Sequence, residues 1–297
     1  MNRYPSGVVE SASPEPLTIS QVSELLSIPV PTIRSWERRY GFPAPARTDG
    51  RHRRYAPDEI HLLRSLRDEI TRGHAARQAV EIVRSGRHGQ VRSELLDRFT
   101  DATERLDPDG IRRSLDQALE GIGLERAIVA IALPAMQELG QRWRLGRCDV
   151  ANEHVATQVV REWFARLGAL TPPPYRPRPI VLATGPTELH TLGLEAFAVL
   201  LARRGWPIRM LGALTPTETL RGALRASRSV GTVITAQRSV GRRGAIESLR
   251  AADDVPGLHP FYAGDAFATA RSREGVPGTY LGVDLIAAAD RVGDDIR

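Results

Sequence analysis

The amino-acid sequence predicts a multidomain α + α/β protein with a helical head, a four-helix bundle and a doubly wound parallel sheet. Apolar residues recur at helical spacing through most of residues 17–170. A stretch with five prolines in nine residues, 171–179, then interrupts the pattern and predicts an extended linker. After it, short apolar runs alternate with helical patterns, which is typical of a parallel sheet with crossover helices.

Composition places limits on function. The 297 residues are 41% hydrophobic and 26% charged, and no apolar run approaches the roughly 20 residues that span a bilayer. We therefore expect no membrane partner, and we read no secretory signal at the N-terminus. The single cysteine, Cys148, excludes an intramolecular disulfide framework, zinc fingers and cysteine-ligated iron–sulfur clusters, and it fits a reducing cytoplasm.

The first part of the chain predicts a tail followed by the helical head. Residues 1–16 are rich in Ser, Pro and Gly without apolar periodicity, which favours a disordered tail. Thr18 is placed to cap the first helix, and Pro57 to open the third. Within the head, residues 17–87, we expect a helix ending at Leu26, a second ending near Tyr40, a β-wing over 46–55, a third helix to Ile70 and a short helix over 75–83.

The remaining chain predicts the bundle and the sheet. Residues 88–170 contain four helical patterns joined by short Gly or Asp-Pro turns, as in an antiparallel bundle. Residues 180–297 form the α/β part. Its expected strands are 180–183, 208–211, 230–235, 261–263 and 280–282.

Charge concentrates in the head. The net charge is +6, and all 41 basic residues are arginine, so the total reflects codon usage as much as function. Residues 34–54, however, hold seven arginines against two acids. Arg34 and Arg38 lie four apart on one helix face, where they suit phosphates and guanine edges in the major groove. An ordinary solvated arginine face is the competing interpretation.

The head resembles the MerR-type winged helix-turn-helix. The similarity runs from residue 17 to about 85 and includes Thr32-Ile33-Arg34, Glu37-Arg38, and Gly50 to Tyr55 followed by Asp58. It implies a homo-oligomer, dimeric or tetrameric, on a palindromic double-stranded operator. The expected DNA-binding residues are Arg34, Trp36, Arg38, Arg39, Tyr40, Arg51, His52, Arg54 and Tyr55, although Trp36 and Tyr40 suit core packing equally well.

The loop after the first strand of the α/β part carries a candidate metal ligand. It contains Glu188, His190 and Gly193 in the pattern E-x-H-x-x-G. Ligands of open α/β sheets sit beyond the carboxyl ends of the strands, and an imidazole that ligates a metal needs a carboxylate on its other nitrogen. Glu188 is placed to supply that hydrogen bond. No G-x-G-x-x-G follows the strand, so a dinucleotide site is disfavoured.

This loop is similar to the D-x-H-x-x-G loop of the Rossmann-like cobalamin-binding fold. The resemblance implies that His190 is the lower cobalt ligand and that Gly193, Thr235 and Gly264 lie near the buried nucleotide tail. Two positions depart from the pattern. Glu188 stands where enzymes have aspartate, and Ala263 replaces a glycine of the tail channel.

The bundle carries a third motif, Trp143 followed nine residues later by Glu153-His154. Taken alone, this motif is typical of a tryptophan packed in the core and a histidine on the following helix. In this order with the other two motifs it resembles CarH/LitR-type repressors, which are MerR proteins with a cobalamin module. The resemblance implies adenosylcobalamin between bundle and sheet, with these three residues near its upper face. Arg144 departs from the histidine usual after the tryptophan, and it cannot ligate a metal.

We therefore predict a non-enzymatic transcriptional regulator, a repressor that senses adenosylcobalamin and light through cleavage of the Co–C bond. That cleavage would alter oligomerisation and operator binding. One alternative is a MerR-type regulator whose tail senses another ligand or no cofactor. A second alternative, from the enzyme class, is a corrinoid carrier subunit for methyl transfer, which the DNA-binding head disfavours.

Overall fold

The computed structural model describes residues 16–47 and 53–296. The chain divides into two compact units, Met1–Val91 and Arg92–Arg297. The predicted tail lies outside the described residues except for Pro16. Among the described helices, none is long and apolar enough to cross a membrane.

The first unit combines helices with a small antiparallel sheet of strand order β1-β3-β2. As predicted, Thr18 caps the first helix by accepting a hydrogen bond from the Gln21 amide at 3.4 Å. Strand β1, which pairs with β3, is an element that the sequence did not reveal. The elements are β1 (Leu17–Thr18), α1 (Ile19–Leu26), α2 (Val30–Tyr40), β2 (Ala46–Arg47), β3 (Arg53–Tyr55) and α3 (Pro57–Thr71).

The next helix, α4 (Ala76–Glu104), corrects the predicted break between head and bundle. The sequence indicated a short helix and a separate bundle helix, but the structure has one helix of 29 residues. Gly86 and Gly89 lie in the stretch where the break was expected. A glycine inside a helix costs only about 1 kcal/mol, which the surrounding helix-forming residues tolerate. The division between the two units falls inside this helix.

Four helical segments form the bundle of the second unit. They are the second half of α4, then α5 (Pro108–Ile122), α6 (Leu124–Arg126) with α7 (Leu133–Arg144), and α8 (Val150–Ala169). A π-helical stretch, Ala127–Ala132, connects α6 to α7. Buried side chains such as Phe99, Leu115, Ile128 and Trp163 fill the space between the helices. This apolar packing supplies most of the stability of such a bundle.

The proline-rich segment after α8 contains neither helix nor strand, and two arginines anchor it. Arg178 donates to the carbonyls of Arg228 and Ser229 at 3.0 and 2.9 Å. The Arg176 amide donates to the Gly205 carbonyl at 3.1 Å. The Arg176 guanidinium lies 4.0 Å from the centroid of the Trp206 ring, a cation–π contact.

A five-stranded parallel sheet of order β5-β4-β6-β7-β8 follows. Because β4 lies between β5 and β6, the strand order reverses beside it, and parallel sheets bind ligands at such switch points. The elements are β4 (Ile180–Thr184), α9 (Leu192–Arg203), β5 (Ile208–Gly212), α10 (Thr217–Ala226), β6 (Gly231–Thr235), α11 (Arg242–Asp253), β7 (His259–Ala263), α12 (Ala270–Arg273), β8 (Thr279–Tyr280) and α13 (Leu285–Asp295).

Candidate cofactor site and DNA-binding surface

Glu188 is the organising residue of the loop that follows β4. Its side chain is only 2% exposed, and both carboxylate oxygens accept hydrogen bonds. The His190 amide donates to Oε1 at 3.0 Å, and the Gln237 and Arg238 amides donate to Oε2 at 2.7 and 3.1 Å. Glu188 therefore joins the loops after β4 and β6, which are the two strands at the switch point.

The same carboxylate orients the imidazole of His190. Nδ1 of the ring lies in hydrogen-bond contact with Oε1 of Glu188. Burial raises the pKa of the Glu188 carboxyl, but the hydrogen bonds from His190, Arg238 and Gln237 outweigh burial and lower it below the ordinary value. Because the ionised carboxylate only accepts, Nδ1 donates to it, and in the neutral form of the ring Nε2 then has the lone pair. The His190 side chain is 56% exposed, so this nitrogen is available to a metal.

The predicted tail-channel residues lie at the carboxyl edge of the sheet. Thr235 ends β6 directly beside Thr184 of β4, and its Oγ1 is buried without a hydrogen-bond partner in the described structure. Such an atom suits a polar group of a bound ligand. Gly264 has φ +107°, and a Cβ there would lie 2.2 Å from the Ala236 carbonyl oxygen. Beside Gly193 the nearest side-chain atom would be 4.0 Å from an added Cβ, so space remains there.

Three large apolar side chains, which we call the apolar rim, stand exposed around Glu188 and His190. They are Leu189, Leu214 and Val240, from the loops after β4, β5 and β6. Leu214 has φ +51°, which is strained for a leucine. Its amide donates to the Glu188 carbonyl at 3.0 Å, which fixes this conformation. The rim depends on three loops meeting in space, so no sequence spacing predicts it.

The bundle motif lies where α7 ends and α8 begins. Trp143 is 49% exposed, and Arg144 beside it is exposed too. Glu153 accepts a hydrogen bond from Thr157 at 2.9 Å, and its other oxygen lies 3.8 Å from Nε2 of His154. In the described part of the chain, no hydrogen bond or ion pair joins Trp143, Glu153 or His154 to Glu188 or His190.

The first unit presents a basic face on α2. Ile33 and Trp36 are buried in the core, whereas Arg34, Arg38 and Arg39 are exposed on the opposite side. Arg54 of β3 is exposed as well. These four arginines therefore form an accessible cationic surface that suits a phosphate backbone. Arg51 and His52, also expected there, lie outside the described residues.

Two expected DNA contacts are corrected by burial. Trp36 is 8% exposed, and Tyr55 is fully buried. Tyr55 lies two strand positions from Arg53, and both side chains bind Glu37: the phenol donates to Oε1, and Arg53 Nε donates to Oε2 at 2.6 Å. Tyr55 therefore joins the wing to α2, and both aromatic side chains lie in the core of the first unit. Tyr40 is half-buried against the same core.

Comparison with known proteins extends these observations. Residues 18–55 match the MerR family regulatory protein model, and residues 95–167 match a B12 binding domain model. The chain is 34% identical to the HTH-type transcriptional repressor CarA of Myxococcus xanthus, over 70% of this chain and 72% of that protein. It is 31% identical to the repressor CarH of the same organism, over 74% and 79%.

The chain belongs to the CarA/CarH family of MerR-type repressors. It is therefore a DNA-binding transcriptional repressor with a B12-binding domain, and it is not an enzyme. The methyl-transfer alternative is thereby set aside. The monomethylamine corrinoid protein of Methanosarcina barkeri shares the fold, with a TM-score of 0.55, 13% identity and coverage of 68% of this chain and 99% of that one.

The site fits a cobalamin. His190 offers one exposed ring nitrogen, backed by a buried carboxylate, that would hold the cobalt of a bound cobalamin. The unpartnered Thr235 hydroxyl lies at the same sheet edge. Sequence reasoning missed the backbone amides of Gln237 and Arg238, because any residue type supplies an amide and only the fold aims it.

Proposed function

We propose that this family member represses transcription with adenosylcobalamin bound on His190, and that light relieves the repression. The observation that carries the proposal is the open Nε2 of His190, held by the buried Glu188 at the switch point of the sheet. When bound, adenosylcobalamin supplies a cobalt–carbon bond that light cleaves. The named repressors CarA and CarH of Myxococcus xanthus support the repressor role.

The chain's own residues have distinct roles in this proposal. His190, oriented by Glu188, would hold the cobalt, and Thr235, Gly193 and Gly264 would border the nucleotide tail. Trp143, Glu153 and His154 of the bundle would contact the adenosyl group. Contacts of the bundle that depend on this group would favour one conformation of the protein, and loss of the group would shift the population of conformations.

The DNA-binding part of the proposal rests on the exposed arginines of α2 and β3. Arg34 and Arg38 contact base edges or phosphates at the major groove, while Arg39 and Arg54 bind phosphates. A homo-oligomer, dimeric or tetrameric, places two such heads on a palindromic operator. Loss of the assembly lowers affinity because each head then binds alone.

A second candidate is a repressor whose α/β part senses another ligand or serves assembly only. Two features of the chain favour it. Ala263, at the end of β7 and paired with Thr235, puts a side chain where the related fold has glycine. Arg144 beside Trp143 offers no metal ligand to the upper face.

The test compares two histidine variants of the full-length protein. His190→Gln removes the open imidazole, whereas His259→Gln changes a histidine at the opposite, amino end of β7, where its Nε2 contacts Thr279. Each protein is mixed with adenosylcobalamin in the dark, desalted and examined by absorption spectroscopy. We expect the wild type and His259→Gln to retain corrinoid through the His190 nitrogen, and His190→Gln to lose that ligation. Equal spectra and retention in all three would contradict the assignment.

A further inference from the structure

Two arginines fasten helix α9 to the bundle, one at each end. At its start, Arg161 of α8 donates Nη2 to the Thr191 hydroxyl at 2.9 Å and Nε to Glu195 at 3.2 Å. At its end, Arg204 donates Nη1 to Glu125 of α6 at 2.9 Å. Two separate groups of polar contacts on one helix therefore join the bundle to the sheet, and we call each group a clasp.

The clasp at the start of α9 lies next to the candidate ligand. Thr191 directly follows His190 and is 6% exposed. It occupies the N-cap position of α9, yet its side chain caps no backbone amide. Instead, its hydroxyl accepts from Arg161 and donates to Glu195 at 2.6 Å. The sheet thus holds the ring of His190 through Glu188, and the bundle holds the neighbouring residue through Arg161.

Helix α8 also carries two of the three candidate upper-face residues, Glu153 and His154. Glu153, Thr157 and Arg161 follow one another at intervals of four, so they lie along one face of the helix. Thr157 donates to Glu153 at 2.9 Å. The eight residues from Glu153 to Arg161 span about 12 Å of helix. A rigid helix therefore links the position expected above the cofactor to the loop expected below it.

We propose that Arg161 is a positioning residue that couples the bundle to the His190 loop. A displacement of α8 breaks its bonds to Thr191 and Glu195 and frees the start of α9, whereas an undisturbed α8 holds the loop in the ligand-binding geometry. The proposal rests on the proposed function insofar as His190 is the cobalt ligand.

The first test uses the full-length protein without cobalamin. Amide hydrogen exchange is measured by mass spectrometry for wild type, Arg161→Gln, Arg161→Lys and the matched control Glu125→Gln, which removes the ion pair with Arg204 at the other end of α9. We expect Arg161→Gln to accelerate exchange over residues 190–196 by about threefold or more, with β4 and β6 unchanged. Arg161→Lys keeps a single donor group, so its exchange rate over residues 190–196 should lie between those of the wild type and Arg161→Gln. Unchanged exchange in Arg161→Gln, or the same effect there from Glu125→Gln, would overturn the coupling.

The second test measures coupling to the upper face. The ratio of the dissociation constants for hydroxocobalamin and adenosylcobalamin reports how well the protein senses the adenosyl group. We expect Arg161→Gln to lower this ratio about threefold or more while the His190-dependent spectrum persists. An unchanged ratio would overturn the proposal. Failure of the wild type to bind either cobalamin contradicts the proposed function instead, and the coupling is then decided by the exchange experiment.

Discussion

Strand β3 of the wing places a candidate DNA-binding arginine directly beside a buried, structural tyrosine. Arg54 points to solvent, whereas Tyr55 is fully buried and donates to Glu37. We compare Arg54→Ala with Tyr55→Phe, which removes only the phenolic hydroxyl. The first change should weaken DNA binding through charge, and the second should weaken the fold.

The magnitudes follow from phosphate neutralisation and from hydrogen bonding. Losing one phosphate contact lowers the slope of log K against log salt by about 0.9, so the affinity ratio between 50 and 200 mM salt falls about 3.5-fold. Tyr55→Phe should leave that slope unchanged. It should lower the free energy of unfolding of the first unit by about 1–2 kcal/mol, because the Glu37 carboxyl loses a buried hydrogen-bond donor.

The assay is fluorescence anisotropy of the full-length protein on a mixed-sequence DNA duplex at several salt concentrations, with urea unfolding in parallel. Arg64→Ala, an exposed arginine of α3, controls for a general loss of positive charge. The reasoning is refuted if Tyr55→Phe lowers the salt slope as much as Arg54→Ala, or if Arg54→Ala leaves the slope at its wild-type value.

Three further predictions concern stability and reactivity. Gly264→Ala should lower the free energy of unfolding of the α/β part by about 2 kcal/mol or more in chemical denaturation, because φ at this position is +107° and the new Cβ would clash with the Ala236 carbonyl. The control is Gly222→Ala in the middle of α10, where an added Cβ meets no other atom, and it should not destabilise the protein. Leu115→Ala, fully buried in the bundle, should cost about 2–5 kcal/mol by the same measurement, and a smaller loss would show that the bundle repacks. Burial raises the pKa of the Cys148 thiol, so iodoacetamide should alkylate it more slowly at pH 8 than in the urea-unfolded chain; equal rates would contradict this.

Local chemistry made some of the structure predictable. Thr18 caps α1 and Pro57 opens α3, because both residue types act through their own backbone neighbourhood. The hydrogen bond between Glu188 and His190 was also expected, since two residues in one loop are always close. These features depend on contacts of short sequence range.

Long-range packing limited the rest. Tyr55 is buried in the core of the first unit, and its hydrogen-bond partner Glu37 lies 18 residues away in the sequence. From the sequence alone, buried and exposed residues of the wing could not be distinguished, because the alternation along a strand shows which side chains face the core only once the register is known. Likewise, Arg161 reaches Thr191 across 30 residues, from a different layer of the fold. Its function becomes visible only where α8 and α9 meet.

The most direct test of the central claim combines two readings of one sample. Full-length protein is loaded with adenosylcobalamin in the dark, desalted, and bound to promoter DNA from its own genome. Absorption and DNA binding are recorded before and after green illumination. We predict retained corrinoid absorbance that changes irreversibly in light, together with loss of DNA binding. DNA binding that is the same with or without corrinoid, and in darkness or light, would contradict the account.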